Sequence, residues 1–418
     1  MSRRKKVFLI APPFSGHLHP LLGIGMKLQD VADVTVLSTP GAAAACELPF
    51  HPILARHEKA VWAIAEPGQE VKSNPLLLYR QLKANIALLG DLKAELNALL
   101  TTQRPDLILA DFTVPVAGIA ALQHGIPWWT TLPSPCVFET PDGPPAYCGG
   151  QTPAQTKAQH LRHAALRQAT RLFKRAMGRL FRRELRAIGF PGIYRADGSE
   201  AVYSPQRILA LGIPEVEFPR SYPPHFHFVG PVLHTPRDDS PAPEFASDGR
   251  PHVLITLGTH LPHAKAALAQ TMRAIATRHP GIVFHFTHGH ATDAPMASTA
   301  NFHEHAHISY ARHLPRYTAV IHHAGAGILN HCLRHGIPSV VIPQDYDQFD
   351  NAARLVAHGL ALRAQGNAQI EDTLLRVLQD PALKARCEAM RAIHTHQDGA
   401  QNVTQRVVAE STLGLQPV

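Results

Sequence analysis

The chain alternates between two hydrophobic rhythms. Short apolar, β-branched runs lead into stretches whose apolar positions recur every three or four residues, and Gly and Pro punctuate the joins. On this reading Val7–Ala11 is a strand, Leu18–Gln29 a helix and Val34–Ser38 a second strand. A long helical zone covers about 75–101, and Leu107–Ala110 is a third strand. Val116–His124 is helical and stops at Gly125-Ile126-Pro127; Trp128–Leu132, Ile208–Leu211 and Phe226–Val229 are further strands. After a Pro- and Asp-rich span at 235–250 the alternation resumes, with strand Val253–Leu257, a helix at about 264–278 and strand Val283–Thr287. The run from Thr318 ends in His322-His323, a helical pattern follows to Gly336-Ile337-Pro338, Ser339–Ile342 is strand-like, and the tail from about 383 is helical. Strands alternating with helices imply parallel sheets. At 418 residues the chain exceeds one hydrophobic core. The expected architecture is α/β, two doubly wound Rossmann-like domains facing each other across a cleft, at 1–234 and 251–395 with the linker between.

Composition narrows the class. Five cysteines (46, 136, 148, 332, 387) show no C-x-x-C spacing, which suits a reducing, cytoplasmic setting better than disulfides or zinc. The basic start before Val7 superficially looks like a signal peptide, but its apolar core is too short before Pro12-Pro13 and reads as a buried strand. No uncharged run approaches the roughly 20 residues of a membrane span. The formal charge of +8 is concentrated: residues 157–186 hold ten Lys/Arg against Glu184 alone, a net of +9 that leaves −1 elsewhere. Leu161, Ala165, Ala169, Leu172, Phe173, Ala176, Met177 and Leu180 recur there at helical spacing. Three readings stay open for this basic amphipathic helix: a cover on the core with a solvated basic face, peripheral contact with an anionic membrane, or nucleic acid. The last lacks any accompanying recognition motif. With 28 histidines, no single one carries weight without context.

Candidate chemistry lies where strands end. The first strand runs into Phe14-Ser15-Gly16-His17-Leu18-His19-Pro20, and Leu107–Ala110 ends in Asp111-Phe112; both ends belong to the ligand edge of a parallel sheet. A histidine there is placed to be a general base, and a carboxylate that met it would orient the ring and raise its basicity. In the second half, strand, small-residue turn (Ala324-Gly325-Ala326-Gly327) and helix form a unit whose helix N-terminus offers free N–H groups to an anion. Asp347 and Gln348 emerge where the next strand has ended.

These pieces, His322-His-Ala-Gly-Ala-Gly327, Arg334-His-Gly-Ile-Pro338 and Asp347-Gln-Phe-Asp-Asn-Ala352, resemble the nucleotide-sugar site of the family 1 glycosyltransferases, which include antibiotic, sterol and carotenoid enzymes. The resemblance implies the GT-B fold, with the last helix, from about 396, packing back on the first domain. It implies an inverting, metal-independent transfer of a sugar, with glucose from UDP-glucose the expected donor, to a hydroxyl of a small hydrophobic natural product or lipid. His17 would be the base and Asp111 its support. Gly16, Thr259, His307, His323, Gly325, Ala326, Gly327, Ile328, Asp347 and Gln348 would bind the donor, and Phe14, Phe112 and Pro133 the acceptor, near the proline-rich stretch 133–156 and the basic helix. No cofactor beyond the nucleotide-sugar co-substrate is expected, and the state is monomer or homodimer. Four positions depart from the family pattern: Ile328 stands where Ser or Thr is usual, Asn330 and His331 stand where acidic residues bind ribose, and His307 stands where an aromatic stacks on the base. A sugar-nucleotide epimerase, or a non-catalytic sugar-nucleotide or lipid-binding protein, remain the alternatives. Asp345-Tyr346-Asp347 also spells a metal–diphosphate signature of another fold, which its place after Pro343 disfavours.

Overall fold

The computed structural model describes residues 3–65, 75–190, 192–236, 240–259, 261–289, 296 and 298–413. The first half holds strands β1 (Lys5–Ile10), β2 (Ala32–Ser38), β3 (Phe50–Pro52), β4 (Leu107–Asp111), β5 (Trp128–Leu132), β6 (Ile208–Ala210) and β7 (Phe226–Phe228). Its helices are α1 (Ser15–Leu28), α2 (Glu58–Ala65), α3 (Pro75–Thr102), α4 (Val116–Gln123), α5 (Lys157–Leu180) and α6 (Arg182–Ala187). The second half holds β8 (His252–Thr256), β9 (Val283–Thr287), β10 (Phe302–His305), β11 (Ala319–His322), β12 (Ser339–Val341) and β13 (Ala361–Arg363). Between and after them come α7 (Pro262–Arg278), α8 (Tyr310–His313), α9 (Ala326–His335), α10 (Gln348–Ala357), α11 (Ile370–Gln379), α12 (Pro381–Thr395) and α13 (Gly399–Leu413).

Both sheets are wholly parallel. Their orders are β3-β2-β1-β4-β5-β6-β7 and β10-β9-β8-β11-β12-β13. In each, the chain starts at a central strand, winds outward to one side and then returns to the other. A crevice opens outside the carboxyl ends of the two strands where the direction reverses. Those pairs are β1/β4 and β8/β11, so the sequence segments after them are brought together by topology alone.

The first sheet's central strand β1 is apolar on both faces because helices cover both, as parallel sheets require. Val7 and Leu9 of β1 face Leu18, Leu21 and Leu22 of α1 and Val403 and Val407 of α13. The alternate residues Phe8 and Ile10 face Leu96 and Leu100 of α3 and Ala117 of α4. The chain's end therefore lies on the first sheet's layer, with α13 packed along α1 and Asn402 donating to the Val229 carbonyl at 2.8 Å. Gly399 makes that crossing possible, since a Cβ there would sit 2.3 Å from the Gly230 carbonyl oxygen.

The basic segment departs from the core-covering reading. It breaks at Phe181 into α5 and α6, and the apolar stripe of α5 faces outward: Leu161 is 73%, Leu172 68%, Phe173 52% and Leu180 54% exposed. The polar side turns inward instead, and His163 is the residue of α5 that is fully buried. Among the described residues no helix is long and apolar enough to cross a membrane.

Candidate active site

Residue 17 sits in the first turn of α1, immediately after β1, and Asp111 is the last residue of β4, on the neighbouring strand. The register that pairs Ile10 with Ala110 places the two side chains side by side. His17 Nδ1 lies 3.0 Å from both Asp111 carboxylate oxygens. A carboxylate only accepts, so Nδ1 carries the proton and Nε2 keeps its lone pair. Asp111 is itself held, accepting from the Thr113 backbone N–H at 2.9 Å and hydroxyl at 2.5 Å, and its side chain is fully buried. Burial alone would depress the imidazole, but the charge and hydrogen bond of Asp111 outweigh it, and the more distant Asp347 adds to them. The result is a His17 held above its ordinary value of 6.5. Its side chain remains 27% exposed.

Aromatic rings stand beside it. Phe14 packs edge-on to Trp62 at 5.7 Å and to His17 at 6.4 Å. Phe112 lies 5.8 Å from the His17 ring and stacks on Tyr203 at 6.4 Å. His19, the rival base, has imidazoles for charged neighbours: burial, with His234 and His307 nearby, brings it down to about 4. That also places His307 close to α1 of the first domain.

The cradle in the second domain is built differently from its sequence motif. The left-handed residue in the turn is Ala324, at φ 67°, rather than a glycine. It is held there by His322, whose buried Nδ1 accepts from the Ala324 N–H at 3.0 Å, and by Asn351, which donates to the Ala324 carbonyl at 3.1 Å. Burial pushes His322 down to about 3, so it stays a neutral acceptor. Gly325 is required for packing, because a Cβ there would meet His323 Nε2 at 2.3 Å. The same ring lies against Gly258 in the turn after β8, where Gly258 is left-handed at φ 73° and Thr259 follows half-buried. His323 thus fills the gap between the turns that follow β8 and β11. Gly327, by contrast, is exposed, with nothing within 4 Å of an added Cβ, and Gly16 on the opposite wall is equally open. Helix α9 begins with no side-chain cap and no acidic residue in its first turn, so the N–H groups of Ala326, Gly327 and Ile328 are available there. The Ile328 side chain is no part of the cradle. It is buried with Leu254, Val320 and Cys332 beneath the sheet, which explains why an aliphatic residue is tolerated at that position.

Several residues without a readable sequence signal join the two domains at this site. The proline-rich stretch docks on α10: Ser134 donates to Asp347, Cys136 Sγ lies 3.1 Å from Asn351 Oδ1 and the Tyr147 N–H donates to Asp350 at 2.8 Å. Burial raises Asp347 above the ordinary carboxylate value and Asp350 to about 6. Gln348 spends its Oε1 on its own loop, accepting from the N–H groups of Gln344 at 2.9 Å and Asp345 at 3.1 Å. Pro133, expected on the acceptor side, lies at the joint between the domains. It lines a small crevice of about 30 Å³ between the domains with Ile213, Ala326, Leu329 and Arg354, because the loop turns toward α9 and α10 at that point. A larger cavity of about 190 Å³ lies between the same loop and the inner face of α5, lined by Glu139, Tyr147, Arg167, Arg171 and Lys174.

Known proteins resemble this chain over most of its length. Residues 269–410 match the family described as erythromycin biosynthesis protein CIII-like, C-terminal domain. The 4'-demethylrebeccamycin synthase of Lentzea aerocolonigenes is 28% identical over 328 residues, covering 74% of this chain and 75% of that protein. The zeaxanthin glucosyltransferase of Pseudescherichia vulneris is 25% identical and covers 92% of each. The chain has the GT-B glycosyltransferase fold. Among solved structures the chain superposes on the kitacinnamycin glycosyltransferase with a TM-score of 0.74 at 21% identity, over 98% of this chain and 100% of that one. It superposes on SsfS6 of Streptomyces sp. SF2575, a glycosyltransferase complexed with thymidine diphosphate, with a TM-score of 0.65 at 17% identity, over 97% and 100%. The described part of the chain, at these low identities, shares their fold.

Proposed function

We propose that this chain is a glycosyltransferase that moves a sugar from a nucleoside diphosphate to a hydroxyl of a small hydrophobic acceptor by single displacement with inversion. The observation that carries the reading is the His17–Asp111 couple at the β1/β4 switch point, facing the uncapped start of α9 at the β8/β11 switch point. In this scheme the acceptor hydroxyl gives its proton to His17 Nε2 as its oxygen attacks the anomeric carbon. The diphosphate leaves from the opposite face, toward the N–H groups of residues 326–328. Preorganised donors of that kind typically lower a barrier by about 3–4 kcal/mol each. Phe14 and Phe112 fit a hydrophobic acceptor beside the base. His323 and Thr259 stand where the diphosphate would leave, and Asp347, raised by burial and near enough to affect His17, stands where the sugar hydroxyls would lie. UDP-glucose is the first donor to test, and the thymidine diphosphate in SsfS6 makes thymidine diphosphate sugars the second.

The test is a panel of nucleotide sugars offered with hydrophobic alcohols and phenols, with the anomeric configuration of the product read by NMR. An inverted glycoside supports the scheme; sugar isomers formed without acceptor would support epimerisation instead. A second expected result separates binding from folding. Gly327→Ala adds a methyl group to open space in a helix, where Ala is favoured over Gly by about 0.5–1 kcal/mol. We expect it to fold with an equal or higher melting midpoint while nucleoside diphosphate affinity, measured by calorimetry, falls about tenfold or more. Unchanged affinity would place the diphosphate elsewhere.

A further inference from the structure

Helix α5 is built inside out. Its inward side is held by polar contacts: Arg167 donates to the Gly143 carbonyl at 2.8 Å, Arg171 to the Gly198 carbonyl at 2.7 Å, and Lys174 to Glu139 and Glu200 at 2.6 Å each. Its outward side is a stripe of Leu161, Ala165, Ala169, Leu172, Phe173, Ala176 and Leu180, all exposed. The stripe continues onto α3, where Tyr79 stacks on Phe181 at 5.2 Å with its neighbour Leu76 also exposed. Large apolar side chains left in water along one helix face cost about 25 cal/mol per Å² of apolar area, so a contiguous stripe signals a surface meant to be covered.

The surrounding charge says what covers it. Lys157, Arg162, Arg179, Arg182, Arg183 and Arg186 are all exposed along α5 and α6, and Glu184 is the acid among them. A second copy of the chain meeting this face would bring the same six cations against themselves. A neutral apolar partner would leave them without a counter-charge. A leaflet of anionic phospholipid satisfies both demands at once, with acyl chains for the stripe and phosphates for the cations.

We infer that α5 and α6 form a docking surface for anionic phospholipid bilayers, the apolar stripe of α5 entering the headgroup boundary. This holds the 190 Å³ cavity behind α5 close to the membrane plane, and it stands apart from the glycosyl-transfer reading, since the cleft residues take no part in it.

The experiment is co-sedimentation of the full chain with vesicles of phosphatidylglycerol and phosphatidylcholine, compared with phosphatidylcholine alone. Binding is expected to the anionic vesicles alone and to weaken as salt rises. Each cation near an anionic surface is worth about 1 kcal/mol, so the triple variant Arg179→Gln/Arg182→Gln/Arg183→Gln should bind on the order of 100-fold more weakly. Leu172→Glu/Phe173→Glu should lose binding at any salt. Both variants change exposed residues, and both are expected to keep wild-type transfer to a water-soluble acceptor. No binding of the wild type at low salt overturns the inference. So does binding lost in the triple variant but kept in Leu172→Glu/Phe173→Glu, which would assign the cations to a polyanion such as nucleic acid. A concentration-dependent dimer in sedimentation velocity that the double variant abolishes would assign the stripe to a second copy instead.

Discussion

Replacing His17 with Ala is expected to lower the turnover number for transfer by about 10²–10⁴-fold, the range a positioned general base supplies, with donor affinity unchanged. The reason is geometric. Asp111 fixes the tautomer by accepting the Nδ1–H hydrogen bond, which leaves the Nε2 lone pair for the acceptor's proton. The pH dependence follows with a definite sign. Only the neutral imidazole accepts a proton, and His17 is held above 6.5. The rate should therefore rise with pH along a limb whose midpoint lies above 6.5. Asp111→Asn removes the charge that outweighs burial, so the limb should move to lower pH while the plateau falls, because the ring loses its orientation. A plateau reduced without any move of the limb would mean that Asp111 serves only the fold of the β4 end. Transfer surviving in His17→Ala at the wild-type rate would end the assignment outright.

Much of this arrangement is legible in the residues. The strand and helix runs are visible because buried parallel strands are continuous apolar segments and the helices keep their three-to-four period. His17 and Asp111 are legible as candidates because both stand directly after such runs, at the sheet edge where ligands bind. Their contact is not legible, since it depends on β1 and β4 being neighbours across a separation of 94 positions. The cradle shows a different limit. A Gly-x-Gly motif suggests that glycine freedom shapes the turn, yet the left-handed residue is Ala324, held by His322 and Asn351. Gly325 is there for the ring of His323 and Gly327 for open space, two reasons that look identical in a sequence. The orientation of α5 fails for a simpler reason. Helical periodicity identifies an apolar face but does not say which way it points, and the inner side is decided by Glu139 and Glu200, which lie outside the helix.

The domain contact offers the second large effect. Arg354 of α10 donates two hydrogen bonds to Glu217, at 2.8 and 3.0 Å, and Arg220 adds a third at 2.8 Å. All three side chains are buried. Arg220 also binds the Pro135 and Phe138 carbonyls at 2.7 and 2.9 Å, and the Arg354 guanidinium lies 4.6 Å from the Phe218 ring. The Glu217 carboxylate therefore binds two guanidinium groups out of reach of water, with Asp350 a further carboxylate nearby. A buried pair need not stabilise relative to apolar residues of the same shape, but removing one partner strands the other's charge, at about 3–5 kcal/mol. Glu217→Ala removes the hydrogen-bonded carboxylate from both. We expect its thermal midpoint to fall on the order of 10 °C. The double variant Glu217→Ala/Arg354→Ala should recover part of that loss, because one of the stranded charges is then gone. The coupling is what distinguishes charge from packing. If the two substitutions were simply additive, lost contact area would explain the effect, and the joint between the first domain and α10 would owe little to this ion cluster.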